Sequence, residues 1–375
     1  MKSTESEAGI TSIPLVDLSM ATIGIFVLNY DGRHLLERCF TSVMAAAGSD
    51  ANVYLVDNAS IDNSVEYVKQ YFPNVKIINF HRNLGFAEAY NRAVEQTQED
   101  VLVFLNNDVE VERQWLCELV RPLTATHNDV GITGSKLLLF SDRKRVNSAG
   151  GSLLPIGGGI DLGYLKLDNA VTDQARYVGC VCGASMALKR SVFQELNGFD
   201  SDFFAYFEDT DFCWRAWLTG HKVMLIPKSR VYHRLSASWG SYLSPERAYL
   251  GQRNRLQSLV KNLETENVIV GLWLYCIFFI IRTTRYLRFR NSKSVVAMLQ
   301  GILWTLHNVQ SLRNKRHQVQ TCRVITDNFL FRKGLMMGHL EAFREFVRIG
   351  SDRRKHSSTL PVPIIGPLDA DNSAF

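Results

Sequence analysis

The chain has 375 residues, 46% of them hydrophobic and 21% charged, with a formal net charge of +5. That length supports a sizeable core, read as one large domain with an appendage, and the composition is that of an ordinary globular protein. Residues 282–356 carry 16 Lys+Arg against 4 Asp+Glu, leaving residues 1–281 mildly acidic. This balance excludes a general nucleic-acid binder and suits a basic appendage facing an anionic membrane surface.

Residues 1–20 read as a flexible arm. They are polar and acidic, without the basic, apolar and small-residue succession of a secretory signal, so a cytoplasmic location is expected. Seven cysteines, with no C-x-x-C pair, read as free thiols of a reducing compartment.

Ala21–Leu28 predicts a strand ending at Asn29-Tyr30-Asp31-Gly32, followed by helical spacing in Leu35, Leu36, Cys39, Phe40 and Val43. Val53–Val56 predicts a second strand ending at Asp57-Asn58-Ala59-Ser60, with Ser60 or Asp62 capping the next helix. Val75–Phe80 predicts a third, ending at His81-Arg82-Asn83-Leu84-Gly85-Phe86, before a helix that carries Ala87, Tyr90, Ala93 and Val94 on one face. Val101–Leu105 predicts a fourth, ending at Asn106-Asn107-Asp108. This alternation predicts an α/β fold with a mostly parallel sheet covered by helices on both faces.

Ligands of such sheets bind beyond the carboxyl ends of the strands, where all four polar clusters fall. Asp108 is a natural ligand there for a hard cation, although Asn and Asp also favour plain turns. The first strand lacks G-x-G-x-x-G, which disfavours a dinucleotide dehydrogenase. Residues 141–175 read as an irregular excursion, and its Gly157-Gly158-Gly159 lacks the Gly-Lys-Ser/Thr of a phosphate loop.

Tyr177–Ala184 predicts a strand running into small residues, where Gly183 and Ala184 serve either close ligand approach or tight packing. A helix through Val192 and Leu196 stops at Asn197-Gly198. Glu208-Asp209-Thr210-Asp211 suits a helix start, where acids complement the macrodipole, and equally a general base whose pKa is raised by neighbouring carboxylates. Val223–Ile226 and Arg230–Tyr232 predict two short strands, the second ending in His233.

From Pro245 the sequence turns helical. Val268–Ile281 is a run of 14 uncharged residues followed by Arg282, Arg285, Arg288 and Arg290. A spanning helix needs about 20 apolar residues, so an interfacial helix is favoured over a buried one, and both over a full span. Further helices are predicted at Ser294–Val309 and Phe329–Val347, and 351–375 reads as a disordered tail.

Taken together, Asn29-Tyr30, Val56-Asp57-Asn58-Ala59-Ser60, Arg82-Asn83-Leu84-Gly85-Phe86, Leu105-Asn106-Asn107-Asp108, Gly183-Ala184-Ser185-Met186, Gly198-Phe199-Asp200, Glu208-Asp209-Thr210-Asp211 with Arg215, and His233 resemble the inverting glycosyltransferases of family 2, in particular the bacterial rhamnosyltransferase-like branch. The resemblance covers roughly residues 20–260. It implies a GT-A catalytic domain over 21–245 and a helical C-terminal region over 246–350 at the membrane interface. It also implies a nucleotide-diphosphate-sugar donor, a glycan or polyprenyl-linked acceptor, and Mg²⁺ or Mn²⁺. By position in the motifs, Asp57 contacts the nucleobase, and Asn29, Arg82, Asn83, Asn106, Asn107 and Gly183 line the donor pocket. Asp108 and His233 hold the metal, Asp209 is the general base, and Glu208 bonds the donor sugar or tunes Asp209. Asn106 departs from the family's usual Asp at the start of the D-x-D motif, which leaves one fewer charge by the diphosphate. The competing functions are a sugar nucleotidyltransferase, disfavoured by the absence of a Gly-rich basic N-terminal loop, and a membrane-associated nucleotide-sugar-binding protein with no activity.

Overall fold

The computed structural model describes residues 21–125, 129–234 and 244–345. The expected N-terminal arm and C-terminal tail lie outside them.

In chain order the elements are β1 (Ile23–Asn29), α1 (Arg33–Ala47), β2 (Asn52–Asp57), α2 (Ser64–Tyr71), β3 (Lys76–Asn79), α3 (Gly85–Glu95), β4 (Val101–Asn106), β5 (Val109–Val111), α4 (Trp115–Thr124), β6 (Val130–Leu139), β7 (Val146–Ser148), β8 (Gly151–Leu153), β9 (Gly159–Asp161), β10 (Arg176–Tyr177), β11 (Ser185–Lys189), α5 (Arg190–Glu195), α6 (Glu208–Leu218) and β12 (Lys222–His233). The helices that follow are α7 (Pro245–Asn262), α8 (Thr265–Arg288), α9 (Ser292–His307), α10 (Val309–Thr321) and α11 (Asp327–Arg332), and helical backbone resumes at 339–345.

The main sheet runs β10-β12-β6-β11-β4-β1-β2-β3. Its nucleus is parallel, β3-β2-β1-β4, as the four apolar runs predict. β11 enters antiparallel between β4 and β6, and β12 resumes parallel to β6. Helices cover both faces: Tyr90 and Trp214 anchor the core under α3 and α6, while Phe40 and Trp115 anchor the core under α1 and α4. The carboxyl ends of the parallel strands therefore share one rim.

Four local expectations are corrected. The strand read at 177–184 is interrupted: the chain pairs with β12 at Arg176–Tyr177, meets Gly151 in a single antiparallel bridge at Cys180, and resumes as β11 at Ser185–Lys189. Around that bridge the backbone is tightly packed: a Cβ on Gly179 would press on the Leu153 amide at 2.8 Å. The strands read at 223–226 and 230–232 are one strand, β12, with an irregularity between Ile226 and Arg230 that accommodates Pro227. The helix expected over 329–347 is broken: α11 stops at Arg332, and Gly334 follows with φ +69°. The cap of α2 is Asn63, in the left-handed region, while Asp62 instead accepts the Ser64 amide at 3.2 Å. Within the excursion, β8 and β9 form a hairpin and β7 pairs with β6.

Among the described residues, α8 alone is long and apolar enough to cross a membrane. It packs on the body through Gly271, Tyr275 and Phe278, while Ile269, Trp273 and Ile280 are more than half exposed. Its neighbour α9 exposes Leu303 and Leu306 similarly.

Candidate active site

At the ends of β1 and β2, an amide and a carboxylate lock the loops together. Asn29 is buried; its Nδ2 donates to Asp57 Oδ1 at 3.1 Å and to Ser60 Oγ at 3.0 Å, and its Oδ1 accepts from Asn107 Nδ2 at 2.7 Å. Asp57 also takes the Ser60 amide at 2.9 Å and the Ser60 hydroxyl at 2.6 Å. These bonds hold a turn in which Ala59 has φ +69°. Next to it, Asn58 accepts the Leu84 amide at 2.8 Å and donates to Asn83 Oδ1 at 2.9 Å, so the third loop is fastened to the second. Asn29, Asp57, Asn83 and Asn107 thus belong to one hydrogen-bonded rim. Arg82 stands exposed at its edge.

Beyond β4, Asp108 is buried and its Oδ1 lies 3.3 Å from His233 Nε2. The antiparallel pairing of β5 with β12 produces this approach, since Val109 lies opposite His233 and Arg234 donates its amide to the Asp108 carbonyl. On the other side of the ring, His233 Nδ1 bonds Asn147 Oδ1 at 2.7 Å, which orients Nε2 toward Asp108. Burial disfavours the imidazolium, but the Asp108 charge outweighs it and holds the His233 pKa above its usual value.

The pair fits a divalent cation. Two ligands each about 2.1 Å from an octahedral ion stand about 3 Å apart, close to the observed separation. No cluster of three or more His, Cys, Asp or Glu side chains is arranged for a metal among the described residues. Remaining ligands would have to come from substrate phosphate and water, as is usual for Mg²⁺.

The acidic helix start is held by two backbone amides. Asp209 Oδ2 accepts the Gly183 amide at 2.8 Å, and its Oδ1 accepts the Thr210 amide at 2.6 Å. Burial raises the Asp209 pKa, the two amides counter it, and Asp161 raises it further. Glu208 is buried, and its pKa is pushed well up by burial and by Asp209. Among the described residues its Oε2 has no hydrogen-bond partner, an orphaned polar atom beside the candidate base. Gly183 is closely packed: a Cβ there would lie 2.8 Å from the Phe86 ring and 3.3 Å from Asp209 Cβ.

The loop before α6 is strained, with Phe204, Tyr206 and Phe207 at φ +58°, +71° and +69°. Its carbonyls are satisfied from outside. Phe204 O accepts the Phe86 amide at 2.6 Å, tying the base loop to the start of α3. Asn254, fully buried on α7, directs Nδ2 to the carbonyls of Phe203, Ala205 and Tyr206, each at 2.8 Å. Further along α6, Asp211 binds Arg215 at 2.8 Å and Lys261 at 3.0 Å, and Lys261 also reaches Asp200 at 2.5 Å.

Sequence reasoning missed three contributors. Asn147 and Asp161 lie in the excursion read as irregular, and Asp161 acts electrostatically on both His233 and Asp209. Asn254 lies in the helical stretch read from Pro245 onward, where the sequence pattern gives it no role in the site. The one available signal was that so polar a helix had few apolar positions of its own to bury.

A family model described as Glycosyl transferase family 2 matches residues 22–196, and one described as Glycosyl transferase family group 2 matches residues 165–309. The N-acetylglucosaminyl-diphospho-decaprenol L-rhamnosyltransferase of Mycobacterium tuberculosis is 27% identical over 240 residues, covering 58% of this chain and 77% of that protein. The low-salt glycan biosynthesis hexosyltransferase Agl10 of Haloferax volcanii is 22% identical, covering 78% of this chain and 92% of its own. The crystal structure of GalNAc-T7 with UDP, GalNAc and Mn²⁺ shares the fold, with a TM-score of 0.53 and 19% identity over 67% of this chain and 49% of that one.

Proposed function

The chain belongs to glycosyl transferase family 2, and we propose that it is an inverting transferase moving a sugar, rhamnose or another hexose, from a nucleotide-diphosphate donor to a hydroxyl of a glycan or lipid-linked acceptor. The observation that carries this reading is the buried Asp108–His233 pair on the sheet rim, with Asp209 fixed by two backbone amides at the start of α6. The relatives from Mycobacterium and Haloferax, a rhamnosyltransferase and a glycan hexosyltransferase by name, support a role in assembling cell-surface polysaccharide.

In this reading the loops fastened by Asn29 and Asp57 receive the nucleobase, with Arg82, Asn83, Asn106 and Asn107 around the nucleotide and Gly183 behind the sugar. Asp108 and His233 hold a divalent cation, Mg²⁺ or Mn²⁺, whose chemistry when bound is Lewis-acid neutralisation of the leaving diphosphate. Asp209 takes the proton of the acceptor hydroxyl as its oxygen attacks the anomeric carbon from the face opposite the diphosphate, which inverts that centre. Its raised pKa matches the task, because a more basic carboxylate accepts the proton more readily. The orphaned Glu208 oxygen bonds a donor-sugar hydroxyl. The exposed apolar faces of α8 and α9, flanked by Arg285, Arg288 and Arg290, dock the catalytic body on the cytoplasmic face of the membrane.

A thermal-melting screen of UDP-, GDP- and dTDP-sugars, with and without Mn²⁺, tests the reading. One donor class should raise the melting temperature in a metal-dependent way, since ligand at 100 times its Kd adds about 2.7 kcal/mol. No shift with any nucleotide sugar in the presence of metal would contradict it.

A further inference from the structure

The stretch 200–211 that carries Asp209 begins and ends on enclosed carboxylates, the side chains of Asp200 and Asp211 being 8% and 0% exposed. Lys261 on α7 spans the two. Its Nζ donates to Asp200 Oδ2 at 2.5 Å and to Asp211 Oδ2 at 3.0 Å, and lies 4.9 Å from the centre of the Phe203 ring between them. The neighbouring Asn262 donates to the other Asp211 oxygen at 2.9 Å. Arg215 joins Asp211, at 2.8 Å, to the carbonyls of Leu196 and Gly198 at 2.7 and 2.9 Å. From α10, Lys315 bonds Asp200 Oδ1 and reaches Asp202 Oδ2 at 2.5 Å. Burial raises the Asp200 pKa, but the Lys261 and Lys315 charges outweigh it and hold the carboxyl below its usual value.

Within this network Asp200, Asp202 and Asp211 are matched by Lys261, Lys315 and Arg215, so removing one lysine leaves a loop end with an under-compensated carboxylate. A network that served the fold alone would not need to join the two ends of one loop. Between those ends, Phe204, Tyr206 and Phe207 hold left-handed backbone, which persists only where the surroundings over-determine it. We infer that Lys261 and Lys315 are positioning residues for the base: they clasp the entry and exit of the 200–211 loop and so keep the Asp209 carboxylate on the Gly183 and Thr210 amides. The helical region beyond residue 245 is then a working part of the active site, not only an appendage to it. The role given to Asp209 rests on the transferase reading; the clasp on the loop does not.

Lys315→Met in the full chain is the primary test, because that side chain is 26% exposed and its loss is tolerated better than that of the enclosed Lys261. Lys261→Met is read against the same criteria where it folds. Hydrogen exchange followed by mass spectrometry should show the amides of residues 203–211 exchanging at least about tenfold faster in Lys315→Met, with β1 to β4 unchanged. Mn²⁺-dependent hydrolysis of the nucleotide sugar that gives the largest melting shift is then measured well below each variant's melting transition. There kcat should fall at least about fivefold while the donor KM stays within about twofold, a split that lost stability alone does not produce. Lys315→Arg, which keeps the charge, should lose less, and Arg313→Met, exposed on the same helix, should match the wild type in both measurements. Adding Lys315→Met to Asp200→Asn should lower kcat little further than Asp200→Asn alone, since both break the same contact. Unchanged exchange in Lys315→Met would overturn the clasp. Faster exchange with unaltered kcat, or with a raised KM in place of the lowered kcat, would overturn the positioning role. If exchange responds as stated and the wild type hydrolyses no nucleotide sugar, the transferase reading falls and the clasp on the loop stands.

Discussion

Replacing Asn254 with alanine tests how the base loop is held. The wild-type amide serves three carbonyls at 2.8 Å with two hydrogens, on a loop whose residues 204, 206 and 207 all have positive φ. Removing it deprives buried carbonyls of about two hydrogen bonds' worth of donor. At about 1–1.5 kcal/mol each, the expected destabilisation is about 2–3 kcal/mol. Urea denaturation should show a lower midpoint at unchanged slope. Because Asp209 follows this loop directly, kcat should fall at least tenfold while donor KM moves little, since the donor loops at residues 29, 57 and 83 are fastened elsewhere. A stability change below about 0.5 kcal/mol, with unaltered kcat, would refute the argument that α7 sets the base geometry.

Four further outcomes are expected. The acid limb of kcat/KM should lie above the usual aspartate value of about 3.9, because Asp209 must be ionised to accept a proton and its pKa is raised. Asp161→Asn, which removes a charge that raises it, should move that limb to lower pH; an unmoved limb would remove Asp161 from the site. Asn147→Leu frees the His233 ring and should raise the Mn²⁺ concentration for half-activity about 10–100-fold, checked by metal titration. Gly85→Ala should destabilise by about 2 kcal/mol or more, read by thermal denaturation, because φ is +75° there and a Cβ would meet the Phe204 carbonyl at 2.6 Å.

The amino-terminal half was legible because each of its four parallel strands is a continuous apolar run closed by polar residues, a pattern set by burial on both faces. β6 was not legible. All ten of its residues are buried, yet Thr133, Ser135 and Lys136 interrupt the apolar pattern. Their polar atoms are satisfied inside, by the Leu119 carbonyl, by Ser185 and Ser229, and by Asp173 at 2.8 Å. The same physics hid half of the candidate site. Arg253, Asn254, Lys261 and Asn262 carry no burial signal of their own in a helix rich in polar residues, yet all four are buried. Their partners, backbone carbonyls of residues 202–206 and the carboxylates of Asp200 and Asp211, lie some 50 residues earlier in the chain. Asp108 and His233 could each be picked out as polar residues at strand ends. Their 3.3 Å approach follows from the β5–β12 register, which three short residues of β5 do not reveal in advance. Asn147 and Asp161 escaped notice because the excursion that carries them takes its shape from neighbours rather than from its own periodicity.

The central claim is that Asp209 is the group that removes the acceptor proton. Asp209→Asn keeps the shape and one of the two accepting oxygens, turns the other into an amide donor, and loses the basic carboxylate. It should depress sugar transfer by about 10²–10⁴-fold while the donor Kd, measured by titration with Mn²⁺ present, stays within about threefold of wild type. Transfer at the wild-type rate in that variant would contradict the account.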